Sequence, residues 1–321
     1  PADRNPSPPF FSAPTVRVAK IGRMSRRRRI VALVGLQTVL VAALAGLLAC
    51  PGAVPLGIPG EWEWLRLRVP ADVLGLGFGV LAVAAYAGFV TLGLRALGPA
   101  PGCWRVAAWL GGLWAAAVAM QVLVMSGAAT GYGLAKWTTL GLSDSSGYFA
   151  TSHREIRGDP WAFWASYPEW IAHQDSLHIG THPPGLLLAS WGLRRTFEAH
   201  PDRAVAMDAH LPASVRLAFR KFVGPLPPSE RAAMVAAALL TLLAATATVV
   251  PLFALARTAL TPRGAWMTAA LWPLAPAVVM FHPAADTAYP VLAISALALA
   301  AWYVRGGLVP AVLTGVVLGV G

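Results

Sequence analysis

The sequence predicts an all-α, polytopic membrane protein, and three observations carry that expectation. Its 321 residues include only 25 Lys/Arg and 14 Asp/Glu, so 12% are charged, against about a quarter in an ordinary soluble domain. The hydrophobic fraction is 57%. Apolar runs recur along the chain, and several approach the ~20 residues that a helix needs to cross a bilayer. Two cysteines exclude a secreted disulfide scaffold, and the apolar content excludes a disordered chain.

The elements follow in chain order. Residues 1–29 read as a disordered, basic cytoplasmic terminus, and the run Arg26-Arg27-Arg28-Arg29 abuts the first apolar segment. The net charge of +11 is concentrated in this terminus. That placement is a positive-inside flank rather than a nucleic-acid patch, and it favours anionic lipid headgroups. Pro1 opens the chain, so Met24 reads as a translation start, and the apolar run cut at Gly321 reads as the end of a fragment. Seven segments read as spans: 30–50, 71–94, 106–126, 231–256, 265–281, 288–304 and 308–321. Arg95 and Arg105, Arg257 and Arg263, and Arg305 lie in connections that alternate counting places inside.

Domain organisation follows from these segments. Residues 30–126 hold three spans, 127–182 form a polar extracytoplasmic loop, and 230–321 hold the later spans. Residues 183–229 combine a short apolar stretch, interrupted by Arg194-Arg195, with a mixed-charge segment. This stretch reads as a re-entrant or short helix. Ser229 reads as the N-cap of the helix that follows.

Chemistry concentrates between Ser143 and Gly185, which hold five of the 14 acidic residues and four of the seven histidines. Such gathering at one membrane face points to a reaction centre, whereas a conduction path places ionisable groups inside the spans. Asp159-Pro160 reads as an N-cap followed by proline at the first helical position. Trp161, Phe163, Trp164, Tyr167 and Trp170 then predict an in-plane amphipathic helix at the headgroup layer, with plain anchoring as its simplest role. Thr181-His182-Pro183-Pro184-Gly185 opens the next helix. Its free backbone N–H groups suit a phosphate, and a mere helix start is an equal reading. Asp144 reads either as a general base or as a solvated or capping carboxylate. Arg154 and Arg157 flank Glu155 and offer cations to a phosphate, or pair on the surface. His282-Pro283 and Asp286 stand at a later span end on the same face. His173, His178 and His182 lack a zinc spacing, and no phosphate-binding glycine loop appears.

An outer-loop aspartate, an aromatic in-plane helix and a Pro-Pro helix start together resemble the GT-C integral membrane glycosyltransferases. The similarity is greatest to protein O-mannosyltransferases and aminoarabinose transferases, which use polyprenyl-phosphate sugars. It covers about residues 106–305. Gly185 stands where that group has leucine after Pro-Pro, Ser145 stands where a second adjacent acid is frequent, and two apolar segments precede the matched region instead of one. The resemblance implies catalytic roles for Asp144 and Asp286. It implies donor or phosphate contacts for Tyr148, Arg154, Arg157, His182, Pro183, Pro184 and Gly185, and an acceptor-side or orienting role for His282. The implied partners are a polyprenyl-phosphate sugar, the bilayer and an acceptor hydroxyl on a glycan, lipid or protein, with no nucleic acid. No metal ligands are assigned, no cofactor is required, and a divalent metal stays open.

The expected activity is therefore transfer of a monosaccharide at the extracytoplasmic face of a bacterial inner membrane. The competing class is a transporter or lipid flippase, which predicts broken helices and ionisable residues at mid-membrane. A non-catalytic scaffold predicts that Asp144 is dispensable, and a zinc-dependent intramembrane hydrolase would need a His-Glu-x-x-His motif that is absent.

Overall fold

The computed structural model describes residues 26–50, 57–58, 62–63, 73–128, 133–142, 147–174, 179, 183–304 and 308–320. The basic terminus before Arg26, Asp72 and Arg305 lie outside the described residues. The chain divides into two units, residues 1–68 and 69–321.

The first unit contains α1 (Arg26–Ala49), whose first turn is the arginine run. A short antiparallel pair, β1 (Gly57–Ile58) and β2 (Trp62–Glu63), sets Gly57 opposite Glu63.

The second unit is helical throughout its described residues. It runs α2 (Val73–Ala96), α3 (Cys103–Ser126), α4 (Lys136–Thr139), α5 (Tyr148–Glu155), α6 (Pro160–Ala172) and α7 (Gly185–Ala199). It continues through α8 (Pro201–Ala209), α9 (Ala213–Ala218), α10 (Pro228–Ala247), α11 (Val249–Ala256), α12 (Pro262–Leu271) and α13 (Pro276–Met280). It ends with α14 (Tyr289–Tyr303) and α15 (Leu308–Val320). Among the described residues, four helices are long and apolar enough to cross a membrane: Val73–Ala96, Cys103–Ser126, Pro228–Ala256 and Ala285–Tyr303. This chain is an all-α, membrane-embedded protein.

The expectation for 265–281 needs correction, because that segment is not one continuous helix. Pro273 and Pro276 supply no N–H, and a residue before proline is pushed out of the helical region. Ala275 accordingly sits at φ −62°, ψ 124°, between a 3₁₀ turn at Trp272–Leu274 and α13. A break in lipid must have its freed carbonyls satisfied, and the fully buried Gln121 Nε2 donates to Pro273 O at 3.3 Å. The 231–256 segment also differs. Its helix begins at Pro228 with Pro227 extended, so Ser229 lies inside the first turn and is not the cap. It turns at Thr248, where Pro251 has no N–H for the carbonyl four residues earlier. α7 has 15 residues of helix; at 1.5 Å per residue it is about 22 Å long, short of a ~30 Å hydrocarbon core.

Packing follows small residues, as expected where lipid removes the usual hydrophobic drive between helices. On α2, Ala82, Tyr86, Val90 and Gly93 recur at three- and four-residue steps and form the buried stripe, while Leu74, Leu76, Phe78 and Leu81 stay exposed. Trp266 of α12 lies flat in the Gly93 notch. A Cβ on Gly93 would stand 2.2 Å from Trp266 Cζ2. The indole Nε1 donates to Val90 O at 2.9 Å, and the Tyr86 hydroxyl donates to Ala270 O at 2.8 Å. Phe89 and Trp109 close the aromatic cluster around Trp266, with centroids 5.2–6.3 Å apart. Trp272 Nε1 ties α12 to Ala245 O of α10 at 2.8 Å.

Gly93→Ala should therefore lower stability by about 1–3 kcal/mol through overpacking, read as the unfolding midpoint of the detergent-solubilised chain. Gly88→Ala on the same helix meets nothing within 4 Å and should hold or slightly raise that midpoint, because alanine is the better helix former.

Candidate functional site

Helix starts and aromatic packing position the outer segments. The Asp159 carboxylate accepts from the Trp161 and Ala162 backbone N–H groups at 2.9 and 3.1 Å, and Pro160 takes the first helical position. This is the N-cap that the sequence predicts. Phe163, Tyr167 and Trp170 turn inward, with ring centroids 5.4–5.8 Å apart, and pack on Ile156, Ile179 and Leu187. Trp161 and Trp164 turn outward and are 76% and 51% exposed. α6 is thus amphipathic, with one face packed and the other presenting bare indoles.

A cavity of about 270 Å³ lies where α5, α7, α10 and the turn after α13 meet. α7 lines it with Leu186, Ala189, Ser190 and Leu193, and α10 with Met234, Ala237, Ala238, Leu240, Thr241 and Ala244. Apart from Leu240, both sets follow the i, i+3, i+4, i+7 rhythm of one helical face. Trp137, Gly141, Phe149 and Pro283 to Asp286 add further wall. The polar groups are few. Tyr148, the first residue of α5, and Asp286, in a 3₁₀ turn, both line the cavity. Burial first, and then electrostatic coupling to Tyr289, Asp286 and Tyr167, hold the Tyr148 hydroxyl well above the ordinary phenol range. Tyr148 therefore stays a neutral hydrogen-bonding group there. Asp286 is exposed, so the cavity lining joins a solvent-exposed carboxylate to a largely apolar α7–α10 wall that also carries Ser190 and Thr241.

His282 does not line the cavity. It is fully buried, and neither ring nitrogen has a hydrogen-bond partner among the described residues. Its ring stands edge-on to Trp137, a cavity residue, at 5.7 Å. Burial, then the charge of Lys136, lowers its pKa from 6.5 to about 3. The imidazole is therefore neutral. Lys136 Nζ donates to Val279 O and Met280 O at 3.3 and 3.0 Å, which fixes α4 against the end of α13. Burial lowers the Lys136 pKa.

The remaining expected residues scatter. Arg154 pairs with its neighbour Glu155 at 2.7 Å, and Arg157 Nε reaches Arg154 O at 3.5 Å. Glu155 also accepts from Trp170 Nε1 at 3.2 Å. Neither arginine lines the cavity, and Arg154 is paired at the surface. Pro183 is exposed, Pro184 caps α7 and Gly185 is its first residue. This motif starts the helix whose first two turns face the cavity. Asp144 and His182 lie outside the described residues. Among the described residues no three His, Cys, Asp or Glu side chains gather as metal ligands.

Sequence reasoning missed the Lys136–Trp137 pair and the cavity face of α10. It also missed the His153–Glu230 contact, 3.6 Å, which joins α5 to the start of α10. The recurrence of Ala237, Ala238, Thr241 and Ala244 was the visible signal for that face.

The buried imidazole predicts a pH dependence of stability. His282 has a folded pKa near 3 against 6.5, so the unfolded chain takes up a proton first as pH falls. Its contribution is whole above pH 6.5 and is lost as pH falls towards 3, by at most about 1.4 kcal/mol per unit. His282→Leu should flatten the unfolding midpoint between pH 7 and pH 5; equal slopes in both chains would contradict this.

No protein-family model, curated protein or solved structure matches this chain.

Proposed function

We propose that this protein is a membrane glycosyltransferase that moves a monosaccharide from a polyprenyl-phosphate donor to an acceptor hydroxyl at the extracytoplasmic face. The observation that carries the reading is the two-character cavity. A carboxylate and a neutral tyrosine hydroxyl line the same cavity as the largely apolar faces of α7 and α10. Soluble sugars have no use for such a wall, whereas a lipid-linked sugar presents a polar head and an apolar tail together.

In this reading the apolar wall takes the first isoprene units, and the sugar lies towards Tyr148 and Asp286. The acceptor oxygen attacks the anomeric carbon as the bond from that carbon to the phosphate oxygen breaks. The acceptor proton passes to a carboxylate, and the electron pair leaves with the lipid phosphate. One displacement inverts the anomeric centre. Asp144 is the proposed base, and Asp286 orients the acceptor or shares that role. His182 and the Pro183-Pro184-Gly185 helix start serve the phosphate, whose growing charge needs fixed donors. His282, walled off and neutral, acts through Trp137 and Pro283 on the shape of the cavity.

The finer topology belongs to this proposal. Seven crossings would use α1, α12–α13 and α15 besides the four long helices, with α7 re-entrant and α6 lying in the outer leaflet. A bacterial inner membrane fits the basic start. One observation favours the transporter alternative: the α12–α13 break, which such folds use at mid-membrane. The break carries no ionisable side chain between Trp272 and Phe281.

The test uses membranes containing the chain and a panel of radiolabelled polyprenyl-phosphate sugars, scored by release of label from the lipid. Asp144→Asn should cut release by about 10²–10⁴-fold, the usual worth of general-base catalysis. Asp286→Asn should also reduce it, while Arg154→Gln leaves it within about twofold. Absence of release with every donor from folded protein, together with donor-lipid translocation in proteoliposomes, would replace this reading with transport.

A further inference from the structure

A second cavity, of about 400 Å³, lies between α8, α9 and the first turn of α10. It shares no lining residue with the cavity of Tyr148 and Asp286. Its charged lining is Asp208, Arg216, Arg220 and Arg231. The single carboxylate is already committed. Arg231 grips Asp208 with two hydrogen bonds, Nε to Oδ1 at 2.7 Å and Nη2 to Oδ2 at 2.6 Å, and Nη1 also donates to Leu226 O. This grip, ahead of the opposing effect of burial, holds the Asp208 pKa below the usual carboxylate range, so the pair stays ionised.

Among the described residues the other two guanidiniums form no ion pair, although Arg216 lies close enough to Asp208 to help lower its pKa. Arg216 is half-buried and spends one donor on Ala209 O at 3.0 Å. Arg220 lines the cavity and makes no hydrogen bond or ion pair with any described residue. Three guanidiniums against one carboxylate leave the lining of the recess with a net of two positive charges. Cations arranged around a concave wall focus their field into it and favour an anion.

The backbone around the recess is built for this shape. Residues Phe219–Val223 form a π-helical turn, a rare geometry that recurs at functional sites. It follows α9 directly, so Arg216 and Arg220 are one turn apart on the same wall. Gly224 closes the turn at φ +89°, a conformation that a side chain would strain. Its N–H donates to Phe219 O at 3.0 Å. Pro225 then leads to Pro228 and into the membrane helix α10.

We propose that this recess binds a phosphoryl group. Guanidinium forks match phosphate oxygens two at a time, and a phosphomonoester carries about −1.5 to −2 charge, which balances the net charge of the lining. The recess lies at the end of a membrane-crossing helix. The phosphoryl group therefore comes either from a lipid headgroup or from a water-soluble phosphate ester, and both offer the same chemistry to Arg216 and Arg220. The site does not depend on the transferase reading.

The test separates the two sources and uses the full chain. In phosphatidylcholine nanodiscs, calorimetric titration with inorganic phosphate and glycerol 3-phosphate reads the soluble source. In detergent, native mass spectrometry with phosphatidic acid against phosphatidylcholine reads the headgroup source. Saturable binding of one equivalent is expected in at least one arm, weakening as salt is raised. Arg216→Gln and Arg220→Gln should each weaken it about tenfold, and the pair together more. Arg203→Gln, exposed on α8 and outside the recess, should leave it unchanged. Arg220 bonds nothing among the described residues, so its variant reports on binding and not on folding. Binding in neither arm, or binding that survives the double substitution, would overturn the proposal.

Discussion

Close approach to α10 is the constraint on which the rest of the structure depends. Its buried positions include Ala232, Ala233, Ala238 and Ala245, and helices α3, α4, α7, α8 and α14 all pack against it. In lipid, helices gain from contact only when their backbones come near enough to pack well. Alanine at these positions permits that approach. The same economy of side chains leaves room for the cavity, because Ala237, Ala238 and Ala244 fill less of the gap to α7 than leucine would. Packing and cavity therefore have one cause.

Polar groups in this molecule cluster at the start of α10. His153 of α5 reaches Glu230, Asp208 of α8 reaches Arg231, and Tyr148 and Asp286 share a cavity with Met234 of the following turn. Below this level the side-chain donors serve backbone carbonyls. Trp114 donates to Leu243 O and Thr246 Oγ1, Gln121 to Pro273 O and Trp266 to Val90 O. Such bonds satisfy broken or tilted helices without introducing charge, as an apolar surrounding requires. The molecule thus separates a structural interior with neutral donors from a charged end that can carry chemistry.

Local chemistry made part of this legible in the sequence. Asp159-Pro160 announces its helix because capping depends only on neighbours, and the inward and outward aromatics of α6 follow from its periodicity. Competing local preferences explain the first error. Ser229 is a good cap, but Pro228 preset for the first turn and Pro227 in extended geometry start the helix earlier. The segment 265–281 misled because hydropathy sums over a window and is blind to backbone donors. Pro273 and Pro276 break it while leaving its apolar content intact. What was not legible was pairing at a distance. Nothing near Gly93 announces Trp266, and nothing in the Pro-Pro motif announces that α7 faces α10. Arg154 and Arg157 drew notice for their charge, yet their nearest carboxylate neighbour holds Arg154.

The account rests on the cavity between α7 and α10 receiving the apolar part of a lipid-linked substrate. The most direct measurement is photocrosslinking of the full chain in membranes with a polyprenyl phosphate bearing a diazirine on an early isoprene unit, mapped by mass spectrometry. The account predicts adducts concentrated between Leu186 and Leu193 and between Met234 and Ala244, suppressed by unlabelled polyprenyl phosphate. Adducts spread over the lipid-facing surface of α2, at Leu74, Phe78 and Leu81, with no such competition, would contradict it.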